Sequence, residues 1–210
     1  MHGLYLVTPN WDDTARLLAS TERALAAGAA LVQYRHKEAS DVLRREQGAA
    51  LLALCRRYRR PLIINDHLAL CLALGADGLH VGGTDMSVAE ARSALGPEKI
   101  VGASCYGDLA LARVAQEAGA SYCAFGGFYP STVKKYTFTT APDIVLQARA
   151  ALTLPLVVIG GMTPQNAAPL VERGAHMVAA ITSIYLAQDP AAAVRAFDSL
   201  FARAGQGEPM

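Results

Sequence analysis

The sequence predicts an α/β protein with a single (β/α)8 (TIM) barrel, and three observations lead to this fold class. Short β-branched runs alternate with longer alanine-rich, amphipathic stretches along all 210 residues. Eight such runs occur, and strands separated by helical crossovers pair in parallel. An open doubly wound sheet would carry a glycine-rich fingerprint after its first strand, but VTPNWDD stands there instead. Such barrels normally take about 250 residues, so this one is expected to be compact.

The elements follow one another in regular order. The predicted strands are GLYLVT (3–8), LVQYR (31–35), PLIIND (61–66), GLHVGG (78–83), KIVGAS (99–104), YCAFGG (122–127), LPLVVIGG (154–161) and MVAAITS (177–183). Helices are predicted near 13–28, 40–59, 67–74, 87–95, 107–118, 142–151, 164–173 and 190–203. Several of these helices end in a glycine that closes the helix just before the next strand. We expect one barrel domain over 1–204 and a flexible C-terminal tail at 205–210.

Composition excludes several classes of function. The chain is 52% hydrophobic and carries 19 basic against 18 acidic residues, so no global field would recruit nucleic acid or an anionic membrane. Any anion site must therefore be local. The four cysteines show no CxxC spacing, and no window approaches a membrane span, so a cytoplasmic protein with buried, reduced thiols is expected. The sequence leaves open whether the chain forms a homo-oligomer.

The second predicted strand ends in an unusual polar pattern. Gln33, Arg35 and Lys37 occupy alternate positions, and alternate residues of a strand point to one face. Barrel active sites lie at the carboxyl ends of the strands. One amide and two cations on one face there indicate an anionic ligand over the barrel mouth.

Two aspartates follow neighbouring strands. Asp66 ends strand three and Asp85 follows strand four, so both are candidate ligands of Mg²⁺, which favours carboxylates together with substrate phosphate oxygens. The alternative is that the two side chains cap the helices that follow them. Their position beside the cations of strand two favours the metal.

Two loops could complete the site. The segment YPSTVKK (129–135) is part of a long loop with hydroxyls and cations, in which Lys134 or Lys135 could supply a cation to a diphosphate and Ser131 and Thr132 could donate hydrogen bonds. The alternative is a solvated surface loop. The turn in IGGMTP (159–164) lets backbone approach an anion closely, and Ile181 and Thr182 on strand eight complete the phosphate site that such barrels often build there.

An ordered set of motifs resembles the thiamine phosphate synthase family over essentially the whole chain. The motifs are QYRHK (33–37), ND (65–66), GADGLHVGGTD (75–85), GAS (102–104), YPSTVKK (129–135), IGGMTPQN (159–166) and ITS (181–183). The resemblance implies that hydroxymethylpyrimidine diphosphate and hydroxyethylthiazole phosphate combine to thiamine phosphate, releasing diphosphate, with Mg²⁺ as the cofactor. It implies a dissociative mechanism through a pyrimidine methylene cation.

The resemblance also assigns roles to individual residues. Arg35, Lys37 and Lys134 would be catalytic, by stabilising the departing diphosphate. The pyrimidine diphosphate would be bound by Gln33, Arg35, Lys37, Asn65, Ser104 and Lys134. The thiazole phosphate would be bound by Ser131, Gly161, Ile181 and Thr182, and the metal by Asp66 and Asp85.

Three positions depart from the pattern of the family. Gly83 stands where the family often has Gln, Gly127 where it often has Pro, and Val133 lies near a usual hydroxyl residue. Two other functions remain open on this barrel. A thiazole tautomerase would tend to carry a His at the position of Gly127, and a silent phosphate-ligand binder would have no use for the metal pair.

Overall fold

The structure, a computed structural model, describes residues 1–82, 86–131 and 137–204, and its eight strands close into a parallel barrel in the order β1 to β8. The predicted fold class is confirmed. The strands are β1 Gly3–Val7, β2 Leu31–Tyr34, β3 Leu62–Asn65, β4 Gly78–Val81, β5 Ile100–Tyr106, β6 Tyr122–Gly126, β7 Leu156–Ile159 and β8 Met177–Ala180. Every neighbouring pair is parallel, and β8 pairs back onto β1 through Leu4 and Val178.

Helices surround the barrel and connect its strands. They are α1 Thr14–Ala26, α2 Asp41–Arg57, α3 Leu68–Leu74, α4 Val88–Leu95, α5 Leu109–Glu117, α6 Ile144–Ala151, α7 Pro164–Glu172, α8 Thr182–Tyr185 and α9 Pro190–Ala204. All eight predicted helices are present, and the one-turn helix α8 is an addition. Within the described ranges, no helix is long and apolar enough to cross a membrane.

The period-2 alternation of the strands divides the core into two clusters. One cluster fills the barrel interior with side chains that include Tyr5, Ile63, Tyr122 and Met177. The other, larger cluster lies between the strands and the helices. The four cysteines belong to this outer cluster as buried free thiols, as predicted.

Seven of the eight strands end one to three residues earlier than the sequence suggested, and two of these differences bear on the site. Strand β2 ends at Tyr34, so Arg35 and Lys37 belong to the loop that follows it. Strand β8 ends at Ala180, and Thr182 and Ser183 begin α8 instead of extending the strand. The backbone leaves the extended region at Ile181, where ψ is −82°. The apolar run MVAAI (177–181) before these residues does not reveal the change, because short apolar runs suit strands and buried helices equally.

Candidate functional site

The carboxyl ends of the strands surround one cavity that enters the barrel from its mouth. It holds ≈ 840 Å³ of space, counting the opening to solvent. Eight of the residues predicted for ligand binding line it, although they come from different strands and loops. They are Gln33, Arg35, Asn65, Ser104, Ser131, Gly161, Ile181 and Thr182. The structure therefore brings residues that were predicted for both substrates to one cavity.

The loop after β2 is fastened to the end of β1. The amide N–H of Arg35 donates to Thr8 Oγ1 at 2.8 Å, and the Thr8 hydroxyl donates to the Arg35 carbonyl at 3.2 Å. Thr8 is fully buried. This reciprocal pair fixes the backbone of Arg35, whose side chain lines the cavity. Sequence reasoning missed Thr8, because a lone threonine at a strand end carries no distinctive signal.

Asp66 lies beside the cavity in an uncommon backbone conformation. Its φ is 60°, in the left-handed region that Asp tolerates better than most residues and that clusters at functional sites. Its Oδ2 accepts from Asn65 Nδ2 at 2.6 Å and lies 3.5 Å from Lys37 Nζ. Lys37 and Asp66 therefore form an ion pair just outside the cavity lining. The neighbouring Asn65 is part of the lining.

The helix-capping alternative for Asp66 is wrong. Helix α3 has His67 at its N-cap position and no side-chain cap. Helix α4 is capped by Ser87, whose hydroxyl accepts from the Glu90 amide in a capping box. The carboxylate of Asp66 is therefore available for another role, and its hard oxygen atoms suit Mg²⁺.

Several predicted positions lie outside the described residues. They are Asp85 and Lys134, together with the family departures at Gly83 and Val133. Within residues 1–82, 86–131 and 137–204, no three His, Cys, Asp or Glu side chains cluster as a complete metal cage. The donor set still fits Mg²⁺, because this ion commonly takes one or two carboxylates and completes its shell with water and substrate phosphate oxygens.

The glycine turn after β7 packs against the loop after β6. Gly160 and Gly161 both have positive φ, 115° and 62°. A Cβ atom on Gly161 would lie 2.3 Å from the carbonyl oxygen of Pro130, next to Ser131. Asn166 holds the turn from the other side, since its Nδ2 donates to the Gly161 carbonyl at 2.9 Å. Backbone rather than side chains therefore forms this wall.

The floor of the cavity contains a row of hydrogen-bonded side chains. Gln33 Nε2 donates to Tyr5 Oη at 2.8 Å, and Tyr5 Oη lies 2.7 Å from Tyr122 Oη. His80 lies 2.9 Å from Tyr122 through Nδ1 and 2.9 Å from Ser104 Oγ through Nε2. Burial raises the pKa of both tyrosines well above the ordinary value, so both keep their protons.

Sequence reasoning found only the two ends of this row. Gln33 and Ser104 were predicted as site residues, but His80 and the two tyrosines were not. A usable signal existed, since an inward-facing tyrosine in a barrel must find a hydrogen-bond partner for its hydroxyl. His36 in the loop after β2 is buried, and its Nε2 lies 2.9 Å from Asp12 Oδ1.

A closed (β/α)8 barrel with polar and glycine residues gathered at the carboxyl ends of its strands falls in the class of barrel proteins whose sites lie at that face. Residues 4–184 match the family model described as thiamine monophosphate synthase. The chain therefore belongs to the thiamine monophosphate synthase family.

Individual relatives are similar to this protein over nearly the whole chain. The thiamine-phosphate synthase of Janthinobacterium sp. (strain Marseille) is 65% identical over 203 residues, which cover 97% of this chain and 98% of the relative. That of Methylobacillus flagellatus is 50% identical and covers 96% of each chain. The solved thiamine phosphate pyrophosphorylase of Pyrococcus furiosus has a TM-score of 0.84 at 28% identity and also covers 96% of each chain.

Proposed function

We propose that this protein is a thiamine-phosphate synthase that transfers a pyrimidinylmethyl group from hydroxymethylpyrimidine diphosphate to hydroxyethylthiazole phosphate. The observation that carries this proposal is that one cavity is lined by eight residues that the resemblance assigns to the two substrates. Membership of the family over nearly the whole chain supports the same reaction. Buried free thiols suit a reducing compartment, so we place the reaction in the cytoplasm.

The diphosphate end is assigned to the side of β2 and β3. Arg35 would pair with diphosphate oxygens from the cavity wall, and Lys37 would do so from the rim beside Asp66. Lys134 is assigned to the same group from the loop after β6. Gln33, Asn65 and Ser104 would hold the pyrimidine diphosphate from the cavity lining. Asp66 and Asp85 would hold Mg²⁺, which when bound offsets the negative charge of the diphosphate.

The thiazole phosphate is assigned to the opposite side of the cavity. The turn at Gly160 and Gly161 presents backbone close to the ligand, and Ile181 and Thr182 follow from β8. Barrels of this class often bind phosphate with the loops after strands seven and eight. Ser131 adds a hydroxyl from the loop that packs on the glycine turn.

The reaction needs no strong protein base. The bond between the pyrimidine methylene carbon and the diphosphate oxygen breaks, and its electron pair leaves with the diphosphate. The aminopyrimidine ring stabilises the methylene cation, and the lone pair of the thiazole nitrogen then forms the new C–N bond. Arg35 and Lys37 stabilise the charge that develops on the leaving group, and the cavity holds the two substrates in reach of each other.

The test is formation of thiamine phosphate from the two phosphorylated substrates and Mg²⁺. We expect product from the wild type, and a loss of about a hundredfold or more in kcat for Asp66→Asn, because the amide removes one charged metal ligand at similar size. EDTA should abolish product, and added Mg²⁺ should restore it. Folded wild-type protein that forms no product would overturn the proposal, and conversion of a thiazole carboxylate phosphate alone would indicate a tautomerase.

A further inference from the structure

The row of side chains on the cavity floor joins two residues that line the cavity from different strands. It runs from Gln33 on β2 through Tyr5, Tyr122 and His80 to Ser104 on β5, with consecutive polar atoms 2.7 to 2.9 Å apart. Tyr5 is 1% exposed and Tyr122 is fully buried. Buried polar atoms nearly always have hydrogen-bond partners, and the buried polar atoms of this row find theirs in one another.

The local sequence makes room for this row. A Cβ atom on Gly102 of β5 would lie 2.0 Å from Cζ of Tyr122, so only glycine lets that ring lie across the barrel. The ring of Tyr5 packs edge-on against Tyr122, with an interplanar angle of 90°, and the His80 ring stacks beside Tyr122 at 20°. These contacts set the orientation of the hydroxyls and of the imidazole.

The hydrogen bonds of the row have a direction. The amide nitrogen of Gln33 only donates, so the Tyr5 oxygen accepts from it. Both phenols keep their protons, as their raised pKa requires. Tyr5 then donates to Tyr122, and Tyr122 donates to Nδ1 of His80. The opposite order would leave the Tyr5 proton without an acceptor in the row.

His80 sets which atom of Ser104 can donate a hydrogen bond to a ligand. An imidazole ring that accepts at Nδ1 can donate only through Nε2, so His80 Nε2 donates to Ser104 Oγ. The Ser104 oxygen is thereby occupied as an acceptor, and its own proton is left to point toward the cavity. At the other end, the amide nitrogen of Gln33 faces the phenols, and its carbonyl oxygen is left as an acceptor.

We propose that Tyr5, Tyr122 and His80 are positioning residues that make Ser104 a hydrogen-bond donor and Gln33 an acceptor toward the bound pyrimidine. This inference rests on the proposed function. An aminopyrimidine has ring nitrogens that accept and an amino group that donates, so it matches this pair. A ring with an oxo group in place of the amino group would set two acceptors against each other. The row therefore selects the amino form.

The binding test compares two tyrosine variants of the full chain. Tyr122→Phe breaks the row, whereas the matched control Tyr34→Phe removes a buried hydroxyl that bonds to Gln47 on the outer face of β2. We expect Tyr122→Phe to raise the Kd of hydroxymethylpyrimidine diphosphate with Mg²⁺ roughly tenfold, the effect of one well-placed hydrogen bond. The KM of the thiazole phosphate should stay unchanged, and Tyr34→Phe should change neither constant. Equal effects of the two variants would overturn the proposal.

The direction itself can be read by ¹⁵N NMR of histidine-labelled wild type, with a His80→Gln variant to assign the signal. We expect His80 with a bare Nδ1 and a protonated Nε2. A proton on Nδ1 would overturn the proposal, because the row would then run in the opposite sense. The two proposals fail separately. Wild type that makes no thiamine phosphate overturns the reaction, whereas an active enzyme with His80 protonated at Nδ1 overturns only the positioning role.

Discussion

At the scale of single residues, the wall of the cavity depends on how closely two backbones approach. Gly161 has a φ of 62°, and its missing Cβ would lie 2.3 Å from the Pro130 carbonyl and 3.1 Å from Tyr129 Cβ. The carbonyl belongs to backbone and cannot rotate away as a side chain could. Two separate reasons therefore require glycine here, the left-handed conformation and the contact between loops.

The first prediction separates these two reasons. Gly161→Ala should lower the free energy of unfolding and raise the KM of the thiazole phosphate roughly tenfold or more, because the loop after β6 must move away from the turn. The matched control is Gly75→Ala, which has the same φ of 62° but open space around the added methyl group. The control should cost only about 1 kcal/mol and leave KM unchanged. Urea unfolding and initial rates would measure both, and similar effects would contradict the prediction.

Single residues also show how far the sequence alone could lead. Gln33 was predicted because polar side chains at a strand end are conspicuous in so apolar a chain, whereas Asn65 and Ser104 were assigned through the resemblance of their motifs to the family. Tyr5 and Tyr122 were not predicted as site residues, because an aromatic residue in a strand is interpreted as a core residue until the position of its hydroxyl is known. The pairing of Lys37 with Asp66 depends on loop geometry after β2 and β3, which strand periodicity does not describe.

At the scale of elements, the start of helix α7 holds the cavity wall together. Thr163 and Asn166 form a capping box, in which Thr163 Oγ1 accepts from the Asn166 amide and Asn166 Oδ1 accepts from the Thr163 amide. Asn166 also donates to the Gly161 carbonyl, and its own carbonyl accepts from the Tyr129 hydroxyl at 2.8 Å. One residue thus connects the helix to the turn after β7 and to the loop after β6.

The second prediction follows from this position. Asn166→Ala should lower stability by about 1 to 2 kcal/mol, because it removes the Asn166 half of the capping box and the hydrogen bond to the Gly161 carbonyl. It should also raise the KM of the thiazole phosphate several-fold. Asp13→Ala is the control, since Asp13 caps helix α1 by accepting from the Arg16 amide at 2.9 Å. The control should lose similar stability without a change in KM. Scanning calorimetry and steady-state kinetics would measure these effects, and an unchanged KM in Asn166→Ala would disprove the link.

The regular elements were predictable because several local signals agree in each of them. Helix α7 has a cap residue, proline at its first position and an apolar face, and its predicted span of 164–173 differs from Pro164–Glu172 by one residue. Helix α8 was missed because its four residues, TSIY, carry no such signals and follow an apolar strand directly. Its start is set by the backbone turn at Ile181, where ψ is −82°.

At the scale of the whole molecule, the two ends of the barrel have different tasks. The carboxyl end carries the cavity, and residues at the amino end serve stability. His176 lies at that amino end, where its Nδ1 accepts from the amide of Leu156 at the start of β7 at 3.0 Å and its Nε2 contacts Arg149 Nη1 at 3.0 Å. Burial, with a smaller contribution from Arg149, lowers the pKa of His176.

This shift predicts how stability changes with pH. In the unfolded chain, His176 takes up a proton near the ordinary histidine pKa of about 6.5. In the folded protein, His176 takes up this proton only at a lower pH. Protons therefore bind the unfolded state preferentially as the pH falls through this window, and stability decreases. Protonation would also remove the acceptor for the Leu156 amide. Above the ordinary pKa, both states hold a neutral ring and the effect is absent.

The third prediction is that His176→Gln weakens this dependence. The carboxamide oxygen of glutamine can still accept from the Leu156 amide, but the side chain does not titrate. From about pH 8 to about pH 5, on either side of the ordinary histidine pKa, the melting temperature of the wild type should therefore fall further than that of the variant. The difference in melting temperature between wild type and variant at about pH 8 serves as the control, because at that pH it reflects only the replacement of the ring. Parallel melting curves across this range would show that His176 does not couple folding to pH.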